Sequence, residues 1–201
     1  MKTLKIKPLK SLIYTAFLGA LLISSAGSCQ DAKSQTGVAR PEMDIHTAVL
    51  YGNLDAVKQH VAAGTDLDSQ DPMGGYPLIA AATFGHTEIA ETLIDGGADI
   101  SVTNNDGSTA LHAAAFFCRV EIVQALLDAN ADKTVRNKFG STPRESVMGS
   151  FSDVKPIYEM MQSQLGALGL KLNMEELKEL AIELRTELID AVSETGGHLG
   201  A

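Results

Sequence analysis

The sequence has no tryptophan, only two cysteines, and few aromatic residues, which make up 5% of its 201 positions. Two cysteines are too few for a small fold held together by several disulfides. Basic residues are also scarce, since 16 Lys and Arg stand against 25 Asp and Glu, a net charge of −9. An acidic surface repels phosphates and anionic headgroups, so we expect no nucleic-acid partner and no electrostatic binding to membranes.

The N-terminus departs from this acidic character. Four lysines lie within the first ten residues and precede a predominantly apolar run at residues 12–23. A basic stretch followed by an apolar run of this length is typical of a signal peptide. A transmembrane anchor is the weaker alternative, because the run is shorter than the ~20 residues that span a bilayer.

The apolar run ends in small residues, SSAGSC at 24–29, which resemble the lipobox of bacterial lipoproteins. The resemblance implies that Cys29 becomes the lipidated first residue of the mature chain, although Ala26 stands where the motif usually has leucine. Cleavage after Ala26 or Ser28, giving a soluble periplasmic product, is the competing interpretation. We therefore predict a signal peptide at 1–28, a flexible tether at 29–41, and an exported, periplasmic protein held to a membrane only through the lipid on Cys29.

The strongest signal in the sequence is a repeat at an offset of 33 residues. GGYPLIAAATFGHTEIAETLIDGGADI at 74–100 aligns without a gap with GSTALHAAAFFCRVEIVQALLDANADK at 107–133. An earlier copy falls in register around residues 45–66, and a fourth begins at 140 and then diverges. A fixed period of this size indicates stacked units, none of which can bury its apolar face alone.

The landmarks of this repeat, TALHAA at 109–114, YPLIAA at 76–81 and the GGAD and NAD corners, resemble those of the ankyrin repeat. The resemblance implies an all-α, ankyrin-like helical solenoid of about three full repeats plus a degenerate fourth. Each repeat would have two antiparallel helices and a projecting hairpin, here called a finger. We place the repeats at 42–150.

The residues support this architecture independently of the resemblance. Pro77 stands where a first helix would begin, a position at which its missing N–H costs little. Each second helix has an apolar stripe, such as Ile89, Ala90 and Leu93. In the first repeat His60 takes the place of Leu93, which predicts a wetter outer face for that repeat.

Residues 151–195 depart from the repeat. Lys155 and Pro156 fall where the stripe expects apolar residues, so we interpret this segment as a distorted last repeat followed by a C-terminal capping helix. The helix is predicted from an amphipathic pattern at 170–192 with Asn173 as its capping residue. Covering the end of the stack is one role for it, and docking a partner is the alternative. Residues 196–201 are predicted to form a loose tail.

No arrangement of residues in the sequence predicts catalysis. No two histidines lie three or four residues apart, and both C-x-x-C and the glycine-rich nucleotide motifs are absent. The ankyrin resemblance instead implies that His112, and His46 at the same position of the first repeat, hydrogen-bond the backbone and tie adjacent loops together. We therefore expect no enzyme, no cofactor and no metal site.

The fingers, at 66–76, 99–109 and 132–142, are the remaining candidates for function. The resemblance implies binding of a partner protein through the fingers and the adjoining concave helix face. The alternative is that their Asn, Asp and Gly residues only form solvated turns. The candidate partner-binding residues are Asp66, Asp68, Asp71, Tyr76, Asn104, Asn105, Asp106, Lys133, Arg136, Lys138 and Phe139.

Together these features predict a non-catalytic, monomeric protein-binding scaffold or adaptor of the bacterial cell envelope, whose partner protein the sequence does not name. A narrower version is an inhibitor or companion of a periplasmic or secreted enzyme. The alternative from another class is a small-molecule binder or enzyme with a pocket near the C-terminal helix.

Cys118 falls, by the repeat register, at the position of Gly85, in the turn between the two helices of the third repeat. If Cys29 carries lipid, Cys118 has no cysteine with which to form an intramolecular disulfide. A structural, half-buried cysteine is our main interpretation. A reactive thiol or an intermolecular disulfide is the alternative.

Overall fold

The computed structural model describes residues 41–181 of the chain. Over this range all regular secondary structure is helical, and no strand is formed. The predicted signal peptide, Cys29, most of the tether and the C-terminal residues 182–201 lie outside the described residues. In the described part no helix is both long and apolar enough to cross a membrane.

Eight α-helices follow one another along the described chain. The first six form three pairs joined by short turns: α1 (Ile45–Leu50) with α2 (Leu54–Ala62), α3 (Pro77–Phe84) with α4 (Thr87–Asp95), and α5 (Ala110–Phe116) with α6 (Val120–Asp128). A 3-10 turn (Glu145–Val147) leads to α7 (Phe151–Leu165), and a second one (Gly166–Leu168) leads to α8, which starts at 174 and reaches the last described residue, 181.

The three helix pairs stack in two parallel rows. In the first row α3 packs between α1 and α5, and in the second row α4 packs between α2 and α6. Each row buries columns of residues spaced 33 apart, and the columns combine small with branched side chains, so neighbouring helices approach closely. Three such columns are Ile45, Leu78 and Leu111; Ala48, Ala81 and Ala114; and Val57, Ala90 and Val123. The predicted all-α solenoid of stacked repeats is therefore confirmed.

Two turn positions in each repeat adopt the left-handed conformation that favours glycine. The position between the paired helices is occupied by Gly52, Gly85 and Cys118, and that of Cys118 has φ of 52°. The position after the second helix is occupied by Gly64, Gly97 and Asn130, with φ of 63° at Asn130. The placement of Cys118 in a turn and of Asn130 at a left-handed corner is thus confirmed. Asparagine tolerates this conformation better than most residues because its short polar side chain bonds locally.

The prediction that the outer face of the first repeat is more exposed to solvent is wrong at His60. This side chain is 4% exposed. Its Nε2 lies 2.7 Å from the carbonyl oxygen of Met43, and its Nδ1 lies 3.1 Å from the Thr65 hydroxyl. Residues just before α1 therefore cover the position. The histidine is accommodated in the core because both ring nitrogens have partners.

Helix α7 is anchored by one aromatic side chain. Tyr158 is buried, and its ring centroid lies 4.9 Å from that of Phe116 and 6.3 Å from that of Phe117, both at the end of α5. Its hydroxyl donates a hydrogen bond to the carbonyl oxygen of Phe116. The segment around Pro156 still forms a continuous helix of 15 residues. It is held by these contacts rather than by the apolar stripe of a repeat.

The described part of α8 packs on the third repeat. The Asn173 side chain accepts hydrogen bonds from the backbone N–H groups of residues 175 and 176, so the predicted capping residue does begin this helix. Leu177 is buried, and its carbonyl oxygen lies 3.7 Å from the Cys118 sulfur, which donates to it. Cys118 is consequently buried rather than half-buried, being 3% exposed.

The requirement for glycine at the left-handed corners can be tested by substitution. A Cβ at Gly97, where φ is 88°, would meet no atom within 4 Å, so Gly97→Ala introduces backbone strain without a steric clash. We expect it to lower the free energy of unfolding by about 1 kcal/mol, measured by urea denaturation. Gly166→Ala is the control, because a Cβ there also meets no atom within 4 Å and φ is −60°. An equal effect of both substitutions would contradict the assignment of strain to the corner.

Candidate functional site

The fingers are built from two side-chain-to-backbone turns each. At the first turn the carboxylates of Asp66, Asp99 and Asp132 accept a hydrogen bond from the N–H two residues later, at 3.0, 2.8 and 2.8 Å. Side-chain hydrogen bonds from Ser101 and Thr134, reinforced by their N–H groups, lower the pKa of Asp99 and of Asp132. Asp99 and Asp132 therefore stay ionised at neutral pH. The hydrogen bonds of all three aspartates hold the start of each finger.

The second turn uses one position in each repeat, occupied by Asp71, Asn104 and Asn137. Each side-chain oxygen accepts two backbone N–H groups, from the residues two and four positions later. For Asn104 the two distances are 2.9 and 3.0 Å. The oxygens of Asp71 and Asn104, both predicted as partner-binding residues, are thus engaged in shaping their own fingers.

Neighbouring fingers are also tied to each other. The carboxylate of Asp68 accepts the Asp99 N–H at 2.9 Å, and the amide of Asn105 donates to the Met73 carbonyl at 2.7 Å. The N–H of Lys138 donates to the carbonyl oxygen of Asp106 at 2.8 Å. Four predicted site residues therefore serve as lateral links, Asp68 and Asn105 through their side chains and Asp106 and Lys138 through their backbones. These links fix the spacing of the finger tips.

The predicted basic finger is partly neutralised within the chain. The Arg136 guanidinium pairs with the Glu145 carboxylate through two contacts, the shorter at 2.7 Å. The pKa of Glu145 is lowered by the hydrogen bond from the Thr142 N–H and, after it, by Arg136. Lys138 is exposed, while Lys133 and Tyr76 are half-buried. The finger therefore carries less net positive charge than its sequence indicates.

The buried histidine His112 connects the third repeat to the next finger. Its Nδ1 accepts the Thr109 N–H at 3.2 Å in a capping box, and its Nε2 donates to the Ser141 carbonyl at 3.0 Å. Burial lowers the pKa of His112, with the Ser141 carbonyl acting in the opposite direction. A neutral imidazole with this tautomer satisfies both partners, so the predicted loop-tying role is confirmed. In the described range no group of three or more His, Cys, Asp and Glu could hold a metal ion.

The tips of the three fingers are formed by residues at one repeat position, Met73, Asp106 and Phe139. Met73 is 86% exposed and Phe139 is 76% exposed. Large apolar side chains this exposed on rigid turns are candidates for partner contact. Among the eleven predicted residues, Phe139 and Asp106 are the two that combine an exposed side chain with a position on this row of tips.

A groove of about 630 Å³ lies beside the tips, where the fingers meet the first row of helices. Ile79 and Thr83 of α3 and Ala113 and Phe116 of α5 line its floor. Asn104, Asp106 and Phe139 line it from the fingers, and Ile157, Met160 and Met161 line it from α7. The structure thus brings three of the predicted residues together with residues that the sequence analysis did not select.

The missed residues of α7 have a recognisable signal in the sequence. Residues 154, 158, 161 and 165 already give this helix an apolar face. Ile157 and Met160 are apolar in addition and remain 42% and 52% exposed. Apolar residues beyond those that one packed face requires indicate a second apolar surface, which no described residue covers completely.

The pocket expected near the C-terminal helix is present and small. A cavity of about 270 Å³ lies between the turn of the third repeat and the start of α8, lined by Arg119, Gln162, Lys171 and Glu176 among others. Ligand pockets usually measure ~300–1,000 Å³ and are mostly apolar. This cavity is just below that range and largely polar, so it gives the small-molecule alternative little support.

The geometry of paired helices and laterally bonded fingers agrees with a comparison against protein families. A family model described as ankyrin repeats, in three copies, matches residues 45–137. This part of the chain is similar to three ankyrin repeats. Ankyrin repeats are protein-interaction scaffolds, which supports the coarse prediction of a protein-binding module, and the family is generally non-catalytic.

A second similarity concerns the C-terminal segment. A family model described as 1-deoxy-D-xylulose-5-phosphate synthase matches residues 166–201. The 1-deoxy-D-xylulose-5-phosphate synthase 2 of Streptomyces coelicolor is 67% identical over 30 residues. These residues are 15% of this chain and 5% of that relative. So short a match establishes a similar segment and does not indicate the synthase activity; in the structure its described part packs on the third ankyrin repeat.

The division of the finger residues into structural and exposed ones is testable. Asn104→Ala removes two hydrogen-bond acceptors from a half-buried turn, and we expect the free energy of unfolding to fall by about 1–2 kcal/mol. Asp106→Ala, two residues away, removes an exposed side chain and should change stability by less than about 0.5 kcal/mol. Chemical denaturation of both variants measures the difference, and a similar loss in both would contradict the division.

Proposed function

We propose that this chain is a protein-binding scaffold of the bacterial cell envelope which holds its partner between the finger tips and the concave helix face. The observation that carries the proposal is the groove beside Phe139 and Asp106. It is a preformed, largely apolar concavity on the face formed by the fingers and first helices of the ankyrin repeats. Its finger-side wall is held in place by hydrogen bonds within and between the fingers, so little order has to be imposed on binding.

The envelope location rests on the N-terminal sequence. Four lysines, the apolar run at 12–23 and the small residues before Cys29 support export and lipid attachment. Removing residues 1–28 would leave 12 basic against 25 acidic residues, a net charge of about −13. A mature domain this acidic would favour basic partner proteins by electrostatic steering.

The binding role is tested by affinity capture from a periplasmic extract followed by identification of the retained protein. We expect Phe139→Ala to weaken binding of that protein at least tenfold, since an exposed aromatic anchor is a frequent hot spot. Tyr51→Ala is the matched control. Tyr51 is 69% exposed in the turn after α1, does not line the groove, and should not affect binding. Equal binding by the wild type and both variants would exclude the finger-tip site.

The envelope location has a separate readout. Replacing Cys29 with Ala should move the protein from the membrane fraction to the soluble fraction, because it removes the sulfur that would carry the lipid. Fractionation of cells that express each form, followed by immunodetection, measures the change. Identical fractionation of the two forms would contradict lipid attachment and would leave the binding proposal intact.

A further inference from the structure

The groove is completed by a helix that does not belong to the repeating pattern. The ring of Tyr158 fixes α7 against the end of α5, and residues three and four apart on a helix share a face. Ile157, Met160 and Met161 therefore line the groove together. Two of these side chains are more than 40% exposed, at 42% for Ile157 and 52% for Met160. This wall is particular to the divergent segment of this chain.

Exposed apolar side chains line both the finger side and the α7 side of the groove. Phe139 on the finger side is 76% exposed, and Met160 on α7 is 52% exposed. Burying several such side chains against an apolar ligand is the dominant favourable term in association. The groove therefore fits a segment that inserts large apolar side chains.

One acidic group in the groove wall remains available for a partner. Within residues 41–181 the backbone of Asp106 is hydrogen-bonded, while its carboxylate receives neither a hydrogen bond nor an ion pair. The other acid of the groove, Glu145, is already paired with Arg136. Residues 41–181 contain 20 acidic and nine basic residues, so the surroundings also favour a cation. A positively charged side chain of the partner can form an ion pair with the Asp106 carboxylate.

We propose that the groove between Phe139 and α7 binds a short segment of a partner protein in which large apolar side chains lie next to one Lys or Arg. The apolar side chains pack between Phe116, Phe139 and Met160, and the cation pairs with Asp106. The inference rests on the proposed binding function and specifies the chemistry of its partner. A nucleic acid does not fit, because the wall is apolar and its available charge is negative.

The test is a selection of random peptides against the immobilised full chain, followed by measurement of Kd for the synthesised winners by fluorescence anisotropy. We expect the selected peptides to share Lys or Arg within four residues of Leu, Ile, Met or Phe. Ile157→Ser and Met160→Ser should each raise Kd by about tenfold or more, because buried apolar area is lost. Both positions are exposed, so circular dichroism should confirm that the variants remain folded.

The charge is tested separately. Asp106→Asn should raise Kd by about two- to fivefold, the range of an exposed ion pair. Asp106→Lys should restore binding to a peptide whose basic residue is replaced by Glu. Asp95→Asn is the matched control, because Asp95 is an exposed acid at the end of α4 and does not line the groove. It should leave Kd unchanged.

The outcomes separate this inference from the function on which it depends. Peptides without a basic residue, or peptides whose Kd is the same for the wild type and the α7 variants, would overturn the inference. If a captured partner still depends on Phe139 in that case, the scaffold function stands and this groove chemistry is wrong. Concentration-dependent self-association that Met160→Ser abolishes would identify a second copy as the occupant and would also overturn the choice of a foreign segment.

Discussion

The structure depends on the stacking of columns of small and branched residues between helices that cannot bury their faces alone. Ala48, Ala81 and Ala114 are each completely buried, and each lies where the helix of the next repeat approaches. A larger side chain at any one of them would separate two repeats and open the column on both sides. Stability therefore belongs to the interfaces between repeats as much as to the helices themselves.

The same periodicity that buries the columns also builds the recognition surface. Because each repeat places an Asp or Asn at the same point of its finger, every finger closes around a similar turn. The amide of Asn105 and the carboxylate of Asp68 then join one finger to the next. The tips are consequently held at fixed spacing, and Met73, Asp106 and Phe139 differ in chemistry while sharing one geometry. These tip positions, where the three repeats differ in side-chain chemistry, do not contribute to the packing between repeats.

The divergent segment after the third repeat has two structural consequences. Through Tyr158, α7 is held against the end of α5, and this brings Met160 into the lining of the same groove as Phe139. Through Leu177, α8 packs on the turn of Cys118. The described part, residues 166–181, of the segment that resembles part of a synthase thus packs on the third repeat.

The sequence by itself determined the repeat, its helices and the left-handed corners at Gly97 and Asn130, because local propensity combined with a fixed period specifies each residue's neighbours in advance. The bridging role of His112 came from the resemblance to ankyrin repeats. The sequence could not separate the finger residues that shape turns, such as Asn104, from those that remain available, such as Asp106. Only the tertiary structure decided that, because both are polar residues in a turn-forming stretch. The tertiary structure also decided where α7 lies. The repeat register does not extend to α7, so it could not predict the neighbours of this helix. The helix is positioned by a contact between Tyr158 and Phe116, which are 42 residues apart in sequence.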